Sequence, residues 1–330
     1  MLFKCNGDFS RQVACISGDS LATKVAATKL YKRKNMASIL ELVGNTPLVE
    51  IDKINPYSHV KIYGKLEGQN PGGSVKDRAA YGMIKGAIDR GEITKDTRLV
   101  EATSGNTGIA LAMIAAQFDI PITLIMPENS TKERIQTMQS YGAEVILTPA
   151  KKTIEYSREY ADSLVAEKGY KMLNQFANDD NWRAHYRTTG PEIWSDTNQK
   201  ITHFVASMGT TGTIMGVSRF LKEQNREVQI IGVQPTDGSR IPGIRRWSKA
   251  FLPKIFDPTR VDKVIDVSQL ESTKMMQDLA KKESIFAGMS SGGGVAAALK
   301  LAATLEEDAV IVCIICDRGD RYLSSGIFGN

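Results

Sequence analysis

The chain has 330 residues, of which 42% are hydrophobic and 24% are charged, and its formal net charge is +5. These proportions are typical of a globular protein, and no apolar run is long enough to cross a bilayer, so we expect no membrane association. Seven of the 42 basic and two of the 37 acidic residues lie within 1–35. The rest of the chain is therefore neutral, which argues against a nucleic-acid partner.

Cysteine and histidine are scarce in the sequence. There are four cysteines, and the three histidines (His59, His185 and His203) are scattered. So few cysteines are not typical of a secreted disulfide scaffold, and we expect a cytoplasmic protein without a metal site. Cys313 and Cys316 have C-x-x-C spacing, but they fall in an apolar strand pattern, where residues three apart point to opposite faces. This pattern favours core packing over metal or redox chemistry.

Residues 1–35 differ in composition from the rest of the chain. They are basic and poor in acidic residues, and Met36 then begins the stretch MASILELVGNTPLVE. Organelle-targeting peptides have such a composition, but so does a disordered tail, or a segment upstream of the native start codon. We favour a disordered or non-native leader over a targeting function.

Past Met36, short apolar runs alternate with amphipathic helical stretches. The predicted strands are 98–102, 121–127, 144–150, 202–208, 228–235 and 309–317. Strands that alternate with helices are typical of an α/β fold with mostly parallel sheets that are covered on both faces. Residues 236–258 are the least regular part of the chain, and we predict a long functional loop there.

The stretch NPGGSVKDRAAYGMIKGAI (70–88) combines a turn with a helical pattern. Ser74 and Asp77 have the spacing of a capping box, which predicts that the helix starts at Ser74. Lys76 then lies in the first turn, where the helix dipole disfavours a cation. In partly dry surroundings such a lysine has a lowered pKa and can attack an aldehyde. The alternative is a solvated surface lysine.

Three predicted strand-to-helix junctions are rich in glycine and hydroxyl side chains. They are EATSGNTGIA (101–110), SMGTTGTIMG (207–216) and AGMSSGGGVAAAL (287–299). The backbone N–H groups of such loops, together with the positive end of the following helix, form candidate anion sites. None has a Walker A lysine or a clear dinucleotide fingerprint, although a dinucleotide site and ordinary tight turns stay open as alternatives. A reactive lysine with a phosphate site and a carboxylate site predicts pyridoxal phosphate acting on an amino acid.

Eight motifs in order along the chain resemble those of the cysteine synthases. They are GNTPLVE, KLEGQNPGGSVKDR, EATSGNTGIALAMIAA, NQF, TTGPEIW, SMGTTGT, SIFAGMSSGG and CDRGDRYLS. The likeness runs from Met36 to Phe328, and SMGTTGT and IPGIRRW resemble the B group of that family. It implies a fold-type II pyridoxal-phosphate enzyme, similar to the β subunit of tryptophan synthase, with two three-layer α/β/α domains at 36–180 and 181–330. Residues 36–70 would pack on the second domain, and we expect a homodimer from the family.

The resemblance also implies roles for single residues. Lys76 matches the lysine that binds the cofactor covalently and moves the substrate proton. Ser290, with Ser291 beside it, matches the partner of the pyridine nitrogen, and Arg245 matches a residue at the pocket mouth that could contact an anionic co-substrate. The other matching cofactor-binding positions are Asn106, Gly209, Thr210, Thr211, Gly212 and Thr213. The other matching substrate-binding positions are Thr103, Ser104, Thr107 and Gln175.

The implied reaction makes L-cysteine from O-acetyl-L-serine and sulfide through an aminoacrylate, with thiosulfate as a second candidate sulfur donor. A neutral serine hydroxyl at the pyridine nitrogen would favour loss of a β-leaving group over transamination. The alternatives are an O-phosphoserine sulfhydrylase, a serine/threonine dehydratase or cystathionine β-synthase of the same fold, and a catalytically idle scaffold protein. A nucleotide-binding dehydrogenase is an alternative from a different class.

Overall fold

The computed structural model describes residues 38–328, so the leader predicted at 1–35 lies outside the described residues. Within 38–328 there are nine strands. They are β1 (Leu48–Glu50), β2 (Val60–Leu66), β3 (Leu99–Ala102), β4 (Ile122–Pro127), β5 (Glu144–Thr148), β6 (His203–Ser207), β7 (Gln229–Pro235), β8 (Lys263–Val267) and β9 (Ala309–Ile315).

The α-helices of the described residues alternate with most of these strands along the chain. They are α1 (Lys76–Asp89), α2 (Asn106–Gln117), α3 (Lys132–Ser140), α4 (Thr153–Lys168), α5 (Asp179–Arg187), α6 (Thr189–Asp196), α7 (Gly212–Gln224), α8 (Gln269–Glu283) and α9 (Met289–Ala302). Within 38–328, no helix combines the length and the apolar character that a membrane crossing needs.

Two sheets carry the strands. The larger sheet has the order β1-β2-β9-β6-β7-β8, and the smaller has the order β3-β4-β5. Neighbouring strands are parallel, except that β1 pairs with β2 in the antiparallel direction. Strand β4 is buried at every residue, as parallel sheets covered by helices require. The predicted α/β fold with mostly parallel sheets is therefore confirmed.

Strand β9 lies inside the larger sheet and shows that both faces of this sheet are covered. Ile311 and Cys313 belong to an apolar cluster that includes residues of α8 and α9. Val312 and Ile314 belong to another cluster, which includes residues of α7. Because successive side chains of a strand point to opposite faces, the two clusters lie on the two sides of the sheet.

Three strands lie outside the predicted set. Strand β1 has only three residues, β2 (VKIYGKL) includes two lysines and a glycine, and β8 is largely exposed. Each departs from the apolar pattern that identified the other strands. Strands β1 and β2, which come from residues 36–70, lie in the same sheet as β6 to β9. The division into two domains near residue 180 stays a prediction.

Helix α1 begins at Lys76, two residues later than the predicted start at Ser74. The hydroxyl of Ser74 accepts a hydrogen bond from the backbone N–H of Lys76 (3.2 Å), as a capping side chain does. The carboxylate of Asp77 does not complete a capping box, because its Oδ2 accepts a hydrogen bond from the N–H of Gly72 in the preceding turn. Lys76 still lies in the first turn, so its unusual placement is real.

The glycine-rich loops differ in what precedes them. One loop connects β3 to α2 and another connects β6 to α7, as predicted. The third loop, before α9, follows helix α8 instead of a strand, and its Ala287 forms only an isolated bridge with Arg318. The loop nevertheless leads into the start of α9, which lines a cleft.

Candidate active site

All thirteen predicted site residues line one cleft with a volume of about 310 Å³. The cleft lies where β3, β6 and β9 end and where α1, α2, α7 and α9 begin, which is the usual place for a ligand in an α/β sheet. The predicted residues found there are Lys76, Thr103, Ser104, Asn106, Thr107, Gln175, Gly209, Thr210, Thr211, Gly212, Thr213, Arg245 and Ser290.

Lys76 projects into the cleft from the first residue of α1. Burial lowers the pKa of its amine, while the nearby Cys316 and Asp317 oppose the shift. Within residues 38–328, the amine has no hydrogen bond or ion pair. Loss of water around the amine is the main cause of the shift, and it favours the neutral form over the charged one. A neutral, unpaired amine is the form that attacks an aldehyde carbon.

The loop 209–213 has the features of a phosphate cradle. Thr211 has a φ of +71°, which is rare for a residue with a side chain. Its Oγ1 is buried without a hydrogen-bond partner among the described residues, and a buried hydroxyl normally has one. The loop leads directly into the N-terminus of α7, which favours an anion. An oxyanion at this loop would accept the hydrogen bond that the Thr211 hydroxyl can donate.

Close packing behind this loop fixes its backbone. A Cβ atom at Gly209 would lie 2.7 Å from the carbonyl oxygen of Gly243, and one at Gly212 would lie 2.0 Å from Oδ1 of Asn181. Asn181 also donates from Nδ2 to Oγ1 of Thr210 (3.2 Å). Trp247 donates from Nε1 to the carbonyl oxygen of Gly209 (2.8 Å). Glycine is required at 209 and 212 because neighbouring groups occupy the space of a side chain.

His185 supports the last residue of the cradle. Its Nε2 lies 3.3 Å from Oγ1 of Thr213, and its Nδ1 lies 2.9 Å from Oγ1 of Thr189. Burial, together with the positive charge of Arg78, lowers the pKa of His185 to about 3. The imidazole is therefore neutral, and it orients a hydroxyl without adding a charge beside the cradle.

The loop before α2 has the features of a carboxylate site. Thr103 and Thr107 are almost fully buried, and Oγ1 of Thr107 donates a hydrogen bond to Oε1 of Gln175 (2.9 Å). A guanidinium nitrogen of Arg134 lies 3.5 Å from the carbonyl oxygen of Ser104. The loop thus brings hydroxyl groups and the positive end of α2 to the same wall of the cleft as the predicted Gln175.

Asn106 is held by residues that the sequence analysis did not assign. Its Nδ2 donates to Oδ2 of Asp317 (2.6 Å), and Arg321 donates to its Oδ1. The hydroxyl of Tyr322 also donates to Oδ2 of Asp317 (2.7 Å). Burial raises the pKa of Asp317. The motif CDRGDRYLS follows the last strand, and its position at the carboxyl end of a parallel strand is the signal that could have identified these residues.

The third loop places Ser290 in the first turn of α9. Its carbonyl oxygen accepts a hydrogen bond from Oγ of Ser207 (2.9 Å). The neighbouring Ser291 does not line the cleft, and its Oγ instead accepts a hydrogen bond from the N–H of Cys316 (2.8 Å). Ser291 therefore has a structural role, whereas Ser290 lines the cleft.

The two cysteines after residue 300 have different surroundings. Cys313 is fully buried in β9, as the predicted core packing requires. Cys316 was expected in the core as well, but it lies one residue beyond the strand, is only partly buried and lines the cleft. Burial and the nearby Asp317 raise the pKa of the Cys316 thiol to about 11, although a hydrogen bond with Ser290 opposes the shift. The thiol is therefore protonated near neutral pH.

Comparison with known proteins agrees with these features. Residues 39–317 match the family of pyridoxal-phosphate dependent enzymes. Cysteine synthase B of Pseudomonas aeruginosa is 57% identical over 291 residues, which are 88% of this chain and 97% of the relative. Cysteine synthase B of Escherichia coli is 53% identical over 294 residues, which are 89% and 97% of the two chains. The crystal structure of cysteine synthase from Entamoeba histolytica has a TM-score of 0.86 at 34% identity, and the match covers 96% of this chain and 94% of that chain.

The fold and the family match define an enzyme that depends on pyridoxal phosphate, and the cleft contains a lysine whose pKa is lowered by burial and a loop with the features of a phosphate cradle. Within that class, the chain belongs to the cysteine synthase B family. The resemblance noted in the sequence and the predicted cofactor are both confirmed. The roles given to single residues stay predictions, and they are part of the proposal that follows.

Proposed function

We propose that this protein makes L-cysteine from O-acetyl-L-serine and sulfide, with pyridoxal phosphate held in the cleft by Lys76. The observation that carries the proposal is the position of an unpaired, partly buried amine between a cradle for phosphate and a loop for carboxylate. The match to each of the two relatives named cysteine synthase B covers almost the full length of that relative, which supports the same reaction here.

Four groups of residues would hold the cofactor. Lys76 would bind its aldehyde carbon, and the loop 209–213 would bind its phosphate through backbone N–H groups and the free hydroxyl of Thr211. Asn106 would contact the ring hydroxyl, since Asp317 leaves the second N–H of its amide available. Ser290 would contact the pyridine nitrogen. The bound cofactor supplies an electron sink for the charge that develops at the substrate α-carbon.

The protein's own groups bind the substrate and move its proton. The loop 103–107 and Gln175 would hold the carboxylate of O-acetylserine, which fixes the α-carbon near Lys76. The freed amine of Lys76 takes the α-proton, and acetate leaves from the β-carbon. Hydrosulfide then forms a C–S bond at the same β-carbon, and Lys76 returns the proton to the α-carbon. Because one product leaves before the second substrate reacts, we expect ping-pong kinetics.

Ser290 would set the balance between β-replacement and side reactions. A carboxylate at the pyridine nitrogen would keep that nitrogen protonated, whereas a neutral hydroxyl leaves the ring a weaker electron sink. Negative charge that is less delocalised stays closer to the substrate α-carbon, and it then expels a leaving group from the β-carbon promptly. The serine at this position therefore favours replacement over transamination.

Several finer features belong to the proposal. The comparisons do not favour the O-phosphoserine, dehydratase or idle-scaffold alternatives. Thiosulfate is proposed as a second sulfur donor because Arg245 lines the mouth of the cleft. A homodimeric, cytoplasmic enzyme with small-molecule substrates is proposed from the family.

The test is a visible spectrum of the purified holoenzyme, recorded with O-acetylserine and then with sulfide, together with an assay for L-cysteine. We expect the absorbance to shift when O-acetylserine is added and to return when sulfide is added, with cysteine formed. Lys76→Ala should abolish the absorbance of covalently bound pyridoxal phosphate. Lys85→Ala is the matched control, because Lys85 lies on the exposed side of the same helix and pairs with Asp89. A spectrum unaffected by O-acetylserine would refute the proposed substrate.

A further inference from the structure

An arginine without an assigned role, Arg134, lines the cleft from helix α3. It is the third residue of that helix (Lys132–Ser140), so it lies in the first turn. The dipole of a helix disfavours a cation in the first turn, as it does for Lys76 in α1. Neither the motifs nor the periodicity of the sequence assigned a role to Arg134, but its neighbours in space indicate one.

The guanidinium of Arg134 faces the loop 103–107, which has the features of a carboxylate site. Its Nη1 lies 3.5 Å from the carbonyl oxygen of Ser104. The peptide bond between Ser104 and Gly105 is trans, and in a trans peptide the carbonyl and the N–H point in opposite directions. Gly105 lines the cleft, and its N–H has no hydrogen-bond partner within residues 38–328. The direction of the Ser104 carbonyl therefore fixes the direction of a free N–H in the carboxylate loop.

The same turn of α3 also contacts the segment after β9. The Arg134 guanidinium lies over the ring of Tyr322 (5.5 Å to the centroid), and the hydroxyl of Tyr322 donates to Oδ2 of Asp317 (2.7 Å). Beside it, Oε2 of Glu133 accepts a hydrogen bond from Oγ of Ser324 (3.3 Å). Stacking on an aromatic face positions a guanidinium while its N–H groups stay available to other acceptors.

Electrostatic attraction to Asp317 accompanies these contacts without an ion pair. Burial raises the pKa of Asp317, and the positive charge of Arg134 is among the influences that oppose the rise. Among the described residues, no ion pair or hydrogen bond joins the two side chains. The Nε of Arg134 is buried without a hydrogen-bond partner there, although a buried N–H normally has one. The guanidinium therefore keeps donor capacity beside the carboxylate loop.

We propose that Arg134 is a positioning residue for the substrate carboxylate. It holds the Ser104 carbonyl, and with it the N–H of Gly105, in the direction that lets the loop 103–107 bind that carboxylate. A hydrogen bond of 3.5 Å can shorten when the loop binds a substrate, as polar contacts of active sites commonly do. Arg134 acts through the loop and need not touch the substrate. This inference rests on the proposed function, because it concerns the first substrate of the same site.

Different residues hold the other end of the loop. The amide of Asn106, which is proposed to face the cofactor ring, donates to Asp317 and accepts from Arg321. Arg134 contacts Ser104, two residues earlier. Substitution of Arg134 should therefore weaken the binding of the substrate and leave the binding of the cofactor unchanged.

The experiment follows the absorbance of the holoenzyme after it is mixed with O-acetylserine in the absence of sulfide. The rate of the absorbance change, measured over a range of O-acetylserine concentrations, gives a half-maximal concentration and a maximal rate. We expect Arg134→Met to raise the half-maximal concentration by about tenfold, since a hydrogen bond from a charged group is lost. The maximal rate and the affinity of the apoenzyme for pyridoxal phosphate should change much less.

Two further variants separate the hydrogen bond from the charge. Arg134→Lys keeps the positive charge but loses the planar fork, so we expect it to raise the half-maximal concentration too, although less than Arg134→Met does. Lys132→Met is the matched control, because Lys132 is exposed in the same helical turn and does not line the cleft. This control should leave the half-maximal concentration unchanged.

The outcomes separate this inference from the proposed function. The role of Arg134 would be overturned if Arg134→Met and Lys132→Met gave the same half-maximal concentration, or if Arg134→Lys behaved like the unaltered enzyme. An equal loss of affinity for pyridoxal phosphate and for O-acetylserine would overturn it as well. If the unaltered holoenzyme showed no absorbance change with O-acetylserine, the proposed function itself would fail. The pyridoxal-phosphate absorbance per chain shows whether each variant is folded, and Arg134→Lys decides the question if Arg134→Met does not fold.

Discussion

The side chain of Asn106 donates a hydrogen bond of 2.6 Å to Oδ2 of Asp317, which lies 211 residues further along the chain. A guanidinium only donates hydrogen bonds, so Arg321 requires the Asn106 oxygen on its side, and the Asn106 amide nitrogen then faces Oδ2 of Asp317. The first residue of α2 is thereby tied to the segment after β9. Asp317 is thus a positioning residue for the amide that faces the cofactor site.

Replacing Asp317 with alanine should weaken both the fold and cofactor binding. The Asn106 amide and the Tyr322 hydroxyl would each lose their acceptor in a buried place. We expect the free energy of unfolding to fall by about 1–3 kcal/mol, measured by urea denaturation of the apoenzyme, and the affinity for pyridoxal phosphate to decrease. Asp320→Ala is the control, because the Asp320 carboxylate forms an exposed ion pair with Arg318. Equal effects of the two substitutions would contradict the positioning role.

A methyl group at Gly212 should disrupt the phosphate cradle. Its Cβ atom would lie 2.0 Å from Oδ1 of Asn181, the side chain that also binds Thr210. We expect Gly212→Ala to bind pyridoxal phosphate at least tenfold more weakly, measured by titration of the apoenzyme. Gly294→Ala is the matched control within another helix that begins at the cleft, because the nearest atoms to its Cβ position lie at 3.6 Å, an ordinary contact distance. Retention of full cofactor affinity by Gly212→Ala would show that the cradle does not depend on this packing.

Acid should destabilise the protein through His185. Burial and the charge of Arg78 lower the pKa of its imidazole to about 3. In the unfolded chain the histidine pKa is about 6.5. Between these values the unfolded chain binds a proton that the folded protein does not, so stability falls as pH decreases from about 6.5 towards 3. His185→Gln should flatten this dependence, measured as the free energy of unfolding at several pH values.

A second histidine provides the comparison. Burial also lowers the pKa of His203, but this side chain is only partly buried. His203→Gln should therefore flatten the pH dependence less than His185→Gln does. Identical profiles for the unaltered protein and for His185→Gln would mean that His185 is not held neutral in the folded state.

Removing the Arg78 guanidinium should be strongly destabilising. Arg78 is buried and donates to both carboxylate oxygens of Glu67 (2.7 Å each) and to Glu192. Burial by itself would raise the pKa of Glu67, but the charge of Arg78 together with the hydrogen bonds from Arg78 and Thr46 outweighs burial, and the pKa is lowered. Arg78→Met would leave buried charge without compensation, at a cost of about 3–5 kcal/mol in the free energy of unfolding.

The matched control for Arg78 is an exposed arginine. Arg98 pairs with Glu144 (3.0 Å) at the surface, and Arg98→Met should cost about 0–1 kcal/mol. Both variants are measured by urea denaturation under the same conditions. A cost for Arg78→Met no larger than that for Arg98→Met would show that the buried network contributes little.

Local patterns in the sequence were sufficient for much of the fold and for the components of the site. The alternation of apolar runs and helical stretches predicted six of the nine strands found in residues 38–328, because helix and strand periodicities are local properties. Lys76 and the glycine-rich loops were identified from their positions at predicted helix starts, where a cation is disfavoured and backbone N–H groups can bind an anion. The resemblance to a known family then supplied their proposed roles.

Local patterns failed where pairing partners, and not the segment itself, decide the structure. Strand β8 is mostly exposed and β1 is very short, so neither has a pattern of its own. The helix start at Ser74 was wrong because the Asp77 carboxylate binds Gly72 rather than Ser74. Two residues at capping-box spacing can make that motif, but competing acceptors and donors decide whether they do.

The sequence by itself determined the α/β class and predicted the roles of Lys76 and of the glycine-rich loops, since these depend on residues close together along the chain. Only the tertiary structure decided that Asp317 orients Asn106, and that the hydroxyl of Thr211 has no hydrogen-bond partner within residues 38–328. It also decided that burial is the main cause of the lowered pKa of Lys76. Desolvation and contacts between distant residues arise only when the chain packs, because water is excluded by segments that are far apart in sequence.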